Sequence, residues 1–205
     1  MAKKESTFIS MVFTLFLVTL FASAALALVY EATKEPIAEA KRLKKMNAIG
    51  EVVPDFDNDP GVEVKKLGMG KDTLYFYHAR MGDSVTGIAV ETYTYTGFSG
   101  LVKLMVGFRP DGSIHNISVL EHAETPGLGD KMIREKSFDK KTGLSWSSQF
   151  EGKDPQEYLL KVKQDDGDVD AITAATITSR AFCDAVQRAY DGLQEIDGTE
   201  EQKSE

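Results

Sequence analysis

The chain has 205 residues, enough for one domain with a core of its own plus an accessory segment. A formal net charge of -8 and a pI near 5.0 argue against nucleic-acid binding, which needs clustered Lys and Arg for phosphate. A single cysteine, Cys183, excludes an intramolecular disulfide and a cysteine-built cluster within the chain, and His78, His115 and His122 lie apart without metal-ligand spacing, so no metal is expected.

The first element is FISMVFTLFLVTLFASAALALV, residues 8–29, which carries no charge. About 20 apolar residues in a helix span a bilayer. Lys3 and Lys4, with ASA or ALA downstream, also fit a cleaved signal peptide. The run exceeds the ~7–15 residues of a signal-peptide core, which favours a retained anchor. Lys34, Lys41, Arg42, Lys44 and Lys45 follow soon after, so counting basic residues places the large domain in the cytoplasm. The run KRLKK at residues 41–45 is too short to make a phosphate-binding surface.

Residues 35–48 read as a helix continuing from the membrane exit, with Pro36 suited to its first turn and Ile37, Ala40, Leu43 and Ala48 forming a loose apolar stripe. Residues 31–50 therefore form a juxtamembrane helix or linker. Asn58-Asp59-Pro60-Gly61 is turn chemistry. Strand signals follow at residues 73–77 (TLYFY), 87–96 (GIAVETYTYT), 101–108 (LVKLMVGF) and 113–120 (SIHNISVL), rich in β-branched and aromatic residues. Arg109-Pro110-Asp111-Gly112 joins the last two as a hairpin. The expected arrangement is an antiparallel meander. Residues 137–152 read as an irregular excursion carrying the lone Trp146, and residues 158–162 as a further short strand. A helix is predicted over residues 179–193, with Phe182, Ala185, Val186, Ala189 and Leu193 on one face and Ser179 or Thr178 as its cap. On that stripe Cys183 reads as a small packed side chain. Residues 197–205 are polar and read as a disordered tail.

Two stretches carry candidate chemistry. In DVDAITAATITSRAFCDAV, residues 168–186, Thr173-Ala174-Ala175-Thr176 stands just before the last helix. A helix N-terminus exposes unpaired N–H groups and the positive end of the macrodipole, a natural place for a phosphate. Small side chains at 174 and 175 let a bulky ligand approach the backbone, and a hydroxyl at 176 can carry or touch a phosphate. An ordinary Thr/Ser-rich cap has the same pattern. In EHAETPGLGDKM, residues 121–132, Glu124 and Thr125 offer an acceptor and a donor beside glycines whose backbone could face a flat ring. A plain turn closing a strand fits those residues equally well.

Together the two stretches resemble the FMN-binding G subunit of the Rnf ion-translocating ferredoxin:NAD oxidoreductase complex, with the C subunit of the sodium-pumping NADH:quinone reductase as the nearest alternative. The family's flavinylation motif reads Asp-x-x-Ser/Thr-Gly-Ala-Thr. Here it is Asp170-Ala171-Ile172-Thr173-Ala174-Ala175-Thr176, followed by Ile177-Thr178, with Ala174 in place of the usual glycine. ETPGLG and YTGFSGLVKLMVG, residues 95–107, are also similar to the family, and the likeness covers nearly the whole chain.

The resemblance implies an α+β fold, in which a single transmembrane helix precedes an FMN-binding domain at residues 51–196 with an antiparallel sheet and flanking helices. It implies FMN joined to Thr176 by a phosphoester, installed by a separate flavin transferase, with Asp170, Thr173, Ala174, Ala175 and Thr178 in the motif. Glu124, Thr125, Gly127, Leu128 and Gly129 would lie near the isoalloxazine ring. The domain would lie outside the cytoplasm, against the charge count, on a single-pass membrane anchor. The chain would relay electrons as a redox subunit among the A, D and E membrane subunits of the Rnf complex and its B and C iron-sulfur or flavin subunits. No catalytic acid, base or nucleophile is then required. Composition alone also permits a tethered scaffold without redox function.

Overall fold

The structure, a computed structural model, describes residues 7–201, with side chains described to residue 196. Lys3, Lys4 and residues 202–205 lie outside the described residues. The chain divides into two compact units, one ending at Lys44 and one beginning at Lys45.

The first unit is helical, and the helix runs on past that unit's end at Lys44 into the first residues of the second. The element α1 runs Phe8–Val52 without a break, and its apolar stretch is long enough to cross a membrane. Its few hydroxyls are turned inward along the helix: Thr14 donates to the Ser10 carbonyl (2.8 Å), Ser23 to that of Thr19 (2.6 Å) and Thr33 to that of Val29 (2.8 Å). These bonds satisfy hydroxyl donors that would otherwise face an apolar medium. Pro36 corrects one expectation. It lies inside α1 rather than at the first turn of a second helix. Its ring removes one backbone bond, to the Ala32 carbonyl, and the helix continues on the bonds either side.

The second unit is built on five antiparallel strands in the order of the chain: β1 Val64–Met69, β2 Asp72–Met81, β3 Ser84–Gly97, β4 Gly100–Phe108 and β5 Ile114–His122. Four of these were legible in the sequence. The edge strand β1 (VKKLGM) was not, since its lysines and glycine suit an exposed edge better than a strand pattern. The expected β4–β5 hairpin is present: Arg109 N–H donates to the Ser113 carbonyl at 2.8 Å, and Gly112 has φ 83°.

Helix α3, Thr176–Glu201, packs along one face of the sheet. Phe182, Ala185, Val186, Ala189 and Leu193 are all buried there, against Val90, Leu104, Val106 and Phe108. Burying each large side chain contributes about 1.5–3 kcal/mol. The helix begins earlier than expected, and it continues to Glu201, into the segment expected to be a disordered tail. The second face of the sheet is covered by Ala48, Ile49 and Val52 at the end of α1, with Val53, over Tyr77, Ala79, Ala89 and Met105. Gly107 permits this contact, because a Cβ there would stand 1.7 Å from the Val52 carbonyl oxygen.

Residues 158–162 are not a strand. Val162 makes one isolated bridge to Val169, and Asp166 adopts a left-handed turn at φ 57°, so no ladder can propagate. A short helix, α2 Arg134–Ser137, leads into the irregular excursion, which contains a 3-10 turn at Trp146–Phe150.

Candidate functional site

At the N-terminal end of α3 the protein has a half-open cavity of about 340 Å³. Its walls are Phe98, Glu124, Thr125, Leu128, Gly129 and residues 174–178. The two stretches singled out in the sequence, some fifty residues apart, therefore form one site. β5 delivers the loop 123–128, and α3 delivers its first turn. The tight β3–β4 turn delivers Phe98, whose ring is largely exposed.

Of the residues expected at the site, Thr176, Ala174, Ala175, Thr178, Glu124, Thr125, Leu128 and Gly129 line the cavity. Gly127, Thr173 and Asp170 stand beside it in sequence without lining it. Phe98 and Ile177 were not among the expected residues. The signal for Phe98 was an aromatic between Gly97 and Gly100, and for Ile177 an apolar residue on the polar start of a helix.

Thr176 is the first residue of α3 and stands at the cavity wall. The first turn carries no acidic residue of its own, so its N–H groups and the helix dipole stand at the cavity wall, beside the Glu124 carboxylate that also lines it. Thr178 and Ser179 are not caps in the expected sense. Thr178 Oγ1 donates to Glu124 Oε2 at 2.5 Å. Ser179 Oγ accepts the Ile172 N–H at 2.9 Å and donates to the Ala175 carbonyl at 3.1 Å, tying the motif loop to the helix.

Glu124 is buried, and its other oxygen, Oε1, accepts the Ser99 N–H at 3.0 Å. The Glu124 N–H donates to His122 Nδ1 at 3.1 Å. One carboxylate thus joins the β3–β4 turn, the post-β5 loop and α3. Gly129 sits against this knot: a Cβ there would be 2.7 Å from both Glu124 Oε2 and Thr178 Oγ1.

Ala174, which replaces the family's usual glycine, has φ 63°. A left-handed alanine costs on the order of 1–3 kcal/mol and persists only where surrounding contacts hold it. The motif acid Asp170 pairs through its side chain with Lys163 Nζ at 2.8 Å.

Cys183 is buried on α3, and burial pushes its thiol up to about 12, so it is protonated at neutral pH and a poor nucleophile. Among the described residues no group of His, Cys, Asp or Glu gathers closely enough to hold a metal ion.

This geometry describes an α+β domain with a helix N-terminus beside a largely apolar cavity, and residues 97–191 match the family described as FMN-binding domain. The chain is also 37% identical to the G subunit of the ion-translocating oxidoreductase complex of Shewanella amazonensis, over 82% of this chain and 80% of that protein. The G subunit of Vibrio cholerae is 34% identical over 80% of each chain. That of Cereibacter sphaeroides is 33% identical over 84% of this chain and 78% of its own. The chain belongs to the family formed by the G subunits of ion-translocating oxidoreductase complexes.

Proposed function

We propose that this chain is the FMN-carrying electron-relay subunit of an Rnf-type ion-translocating complex, with FMN joined to Thr176 through a phosphoester. The observation that carries the proposal is the convergence of Thr176, the N-terminus of α3 and the 123–129 loop on one cavity. That cavity falls within the range of small-molecule sites, about 300–1,000 Å³ when fully formed. Its chemistry suits the cofactor: amide N–H groups and a positive helix end for phosphate, with Leu128, Ala174, Ala175, Ile177 and Phe98 for a flat apolar ring. A Cβ at Gly129 would fill the space where Glu124 and Thr178 meet behind the cavity.

FMN supplies one- and two-electron chemistry when bound, while the protein supplies position and electrostatics. Attachment forms a bond from Thr176 Oγ1 to phosphorus. The bond broken is the phosphoanhydride P–O bond of a flavin dinucleotide: the FMN half stays on Thr176 and the other half departs as a nucleoside monophosphate. The hydroxyl proton passes to a base on a separate flavin transferase, and no electron changes hands. Glu124, Thr125, Leu128 and Gly129 form the ring side of the site, with Gly127 shaping their loop, and Ala174, Ala175 and Thr178 the attachment side, with Asp170 and Thr173 in the loop that leads to it. The apolar part of α1 anchors the chain in the membrane, and the domain works on the extracytoplasmic face. Electrons enter and leave through the companion membrane and iron-sulfur or flavin subunits of the complex.

The test is co-expression with the flavin transferase and inspection of the denatured chain for flavin fluorescence under ultraviolet light. The wild-type band fluoresces and Thr176→Ala does not. A dark wild-type band, or a fluorescent Thr176→Ala band, overturns the proposal.

A further inference from the structure

We infer that Gln149 and Trp146 are positioning residues for the acceptor loop, residues 170–175, and that they govern how fast Thr176 receives its flavin. The inference rests on the reading of Thr176 as the attachment site. Its physical basis is the backbone of Asp170. The Asp170 N–H donates to Gln149 Oε1 at 2.7 Å. The Asp170 carbonyl accepts Trp146 Nε1 at 2.5 Å and Gln149 Nε2 at 3.3 Å. One side-chain amide thus engages both the N–H and the carbonyl of Asp170, as a neighbouring strand would, and an indole adds a further donor.

The clamp is itself anchored. Gln149 Nε2 also donates to the Trp146 carbonyl at 2.9 Å, and the Trp146 N–H donates to Ser137 Oγ at 3.0 Å. Ser145 and Ser148 close a reciprocal cap at the start of the 3-10 turn. The Trp146 ring stands edge-on to Phe150 and to Phe182, with centroids 5.6 Å and 5.0 Å away. Phe182 is fully buried and belongs to α3, the helix that opens with Thr176. The acceptor loop is therefore held along its length: at Asp170 by the clamp and by the ion pair with Lys163, and nearer α3 by Ser179 Oγ, which accepts the Ile172 N–H at 2.9 Å and donates to the Ala175 carbonyl at 3.1 Å.

Two features explain why the loop needs holding. Ala174 sits in the left-handed region at φ 63°, which relaxes unless its flanks are fixed. The Asp170 side chain is 71% exposed and pairs with Lys163, so the clamp secures its peptide groups and leaves the carboxylate to that ion pair. A loop fixed in this way offers the Thr176 hydroxyl in one geometry rather than many, which raises the rate of a reaction on it.

The test uses the full chain in detergent with purified flavin transferase and its flavin nucleotide, measuring the initial rate of incorporation alongside amide hydrogen exchange. Gln149→Ala removes both amide contacts. Trp146→Phe keeps an aromatic ring against Phe150 and Phe182 and removes only the indole donor. The expected result is a roughly tenfold slower rate for Gln149→Ala and a smaller loss for Trp146→Phe. Faster exchange at amides 171–175 accompanies both, with exchange in β3 and β4 unchanged. Rates within about twofold of wild type in both variants overturn the inference. If Gln149→Ala also loses protection in β3 and β4, Trp146→Phe decides. If the wild type takes up no flavin at residue 176, the parent reading fails. The clamp then stands or falls on exchange at 171–175, and unchanged protection in both variants overturns it.

Discussion

Two glutamates are buried in the sheet-based unit, and they are satisfied in opposite ways. Glu91, on the face covered by the end of α1, meets a cation: Lys45 Nζ lies 2.8 Å from Oε2, and the Tyr77 hydroxyl donates to the same oxygen at 3.2 Å. Burial, and then the Glu91 charge, push the Tyr77 phenol far above its usual range. Glu124, at the cavity, bonds to uncharged donors, the Ser99 N–H and the Thr178 hydroxyl. Glu91 is surrounded by packed apolar side chains, whereas Glu124 borders open space. A charge paired inside a core fixes packing. A carboxylate held by neutral dipoles at a cavity wall fixes the shape of a site and leaves its negative charge there.

The comparison predicts unequal responses. Lys45→Met strands Glu91 without its cation and costs about 2–3 kcal/mol, below the full penalty of a buried pair because Lys45 is partly exposed. At about 2–4 °C per kcal/mol for a chain of this size, thermal unfolding of the sheet-based unit shows it, while flavin loading of the folded fraction is unchanged. Glu124→Gln costs less in stability, about 1–2 kcal/mol, since one bond to a charged acceptor is replaced by a mismatched amide. Its flavin loading falls, because the variant loosens the walls of the cavity. If Glu124→Gln destabilises more than Lys45→Met and loads normally, the two roles have been assigned the wrong way round.

Ala174→Gly sharpens the site half of the comparison. It relieves the left-handed alanine and stabilises by about 0.5–1 kcal/mol after the extra freedom of the unfolded glycine is counted. Flavin attachment persists, as the family's usual glycine implies. The smallest effect concerns His78 on β2. Burial lowers its pKa, with Lys65 and Arg80 adding to the shift. A folded-state pKa below the unfolded one means the unfolded chain binds more protons. Stability is thus full above the unfolded value of about 6.5 and is lost as pH falls towards the folded one. Urea midpoints measured from about pH 7.5 downward show this slope, and it flattens in His78→Phe.

How much of this could be read beforehand differs between fold and site. The strand pattern of β2 to β5 and the apolar stripe of α3 were plain, because residues such as Phe182, Val186 and Ala189 repeat at the spacing that burial requires. β1 was hidden because an edge strand with Lys65, Lys66 and Gly68 has little apolar alternation to show. Pro36 misled because proline is commoner at helix starts, and only the continuous bonds of α1 override it. At the site, the candidate stretches were visible as unusual runs of small and hydroxyl residues. Their meeting in one cavity was not, since contact between residues 124 and 178 is a property of the folded meander. The inward use of Thr178 and Ser179, and the bonds of Gln149 to Asp170, leave no local pattern at all.

The central claim is one covalent bond at Thr176. Mass spectrometry of the proteolytic peptide spanning residues 170–180, taken from chain made with its flavin transferase, tests it directly. The account predicts that this peptide carries the added mass of FMN less one water, with fragment ions placing it on Thr176. An unmodified peptide, or the same mass on Thr173 or Thr178, contradicts it.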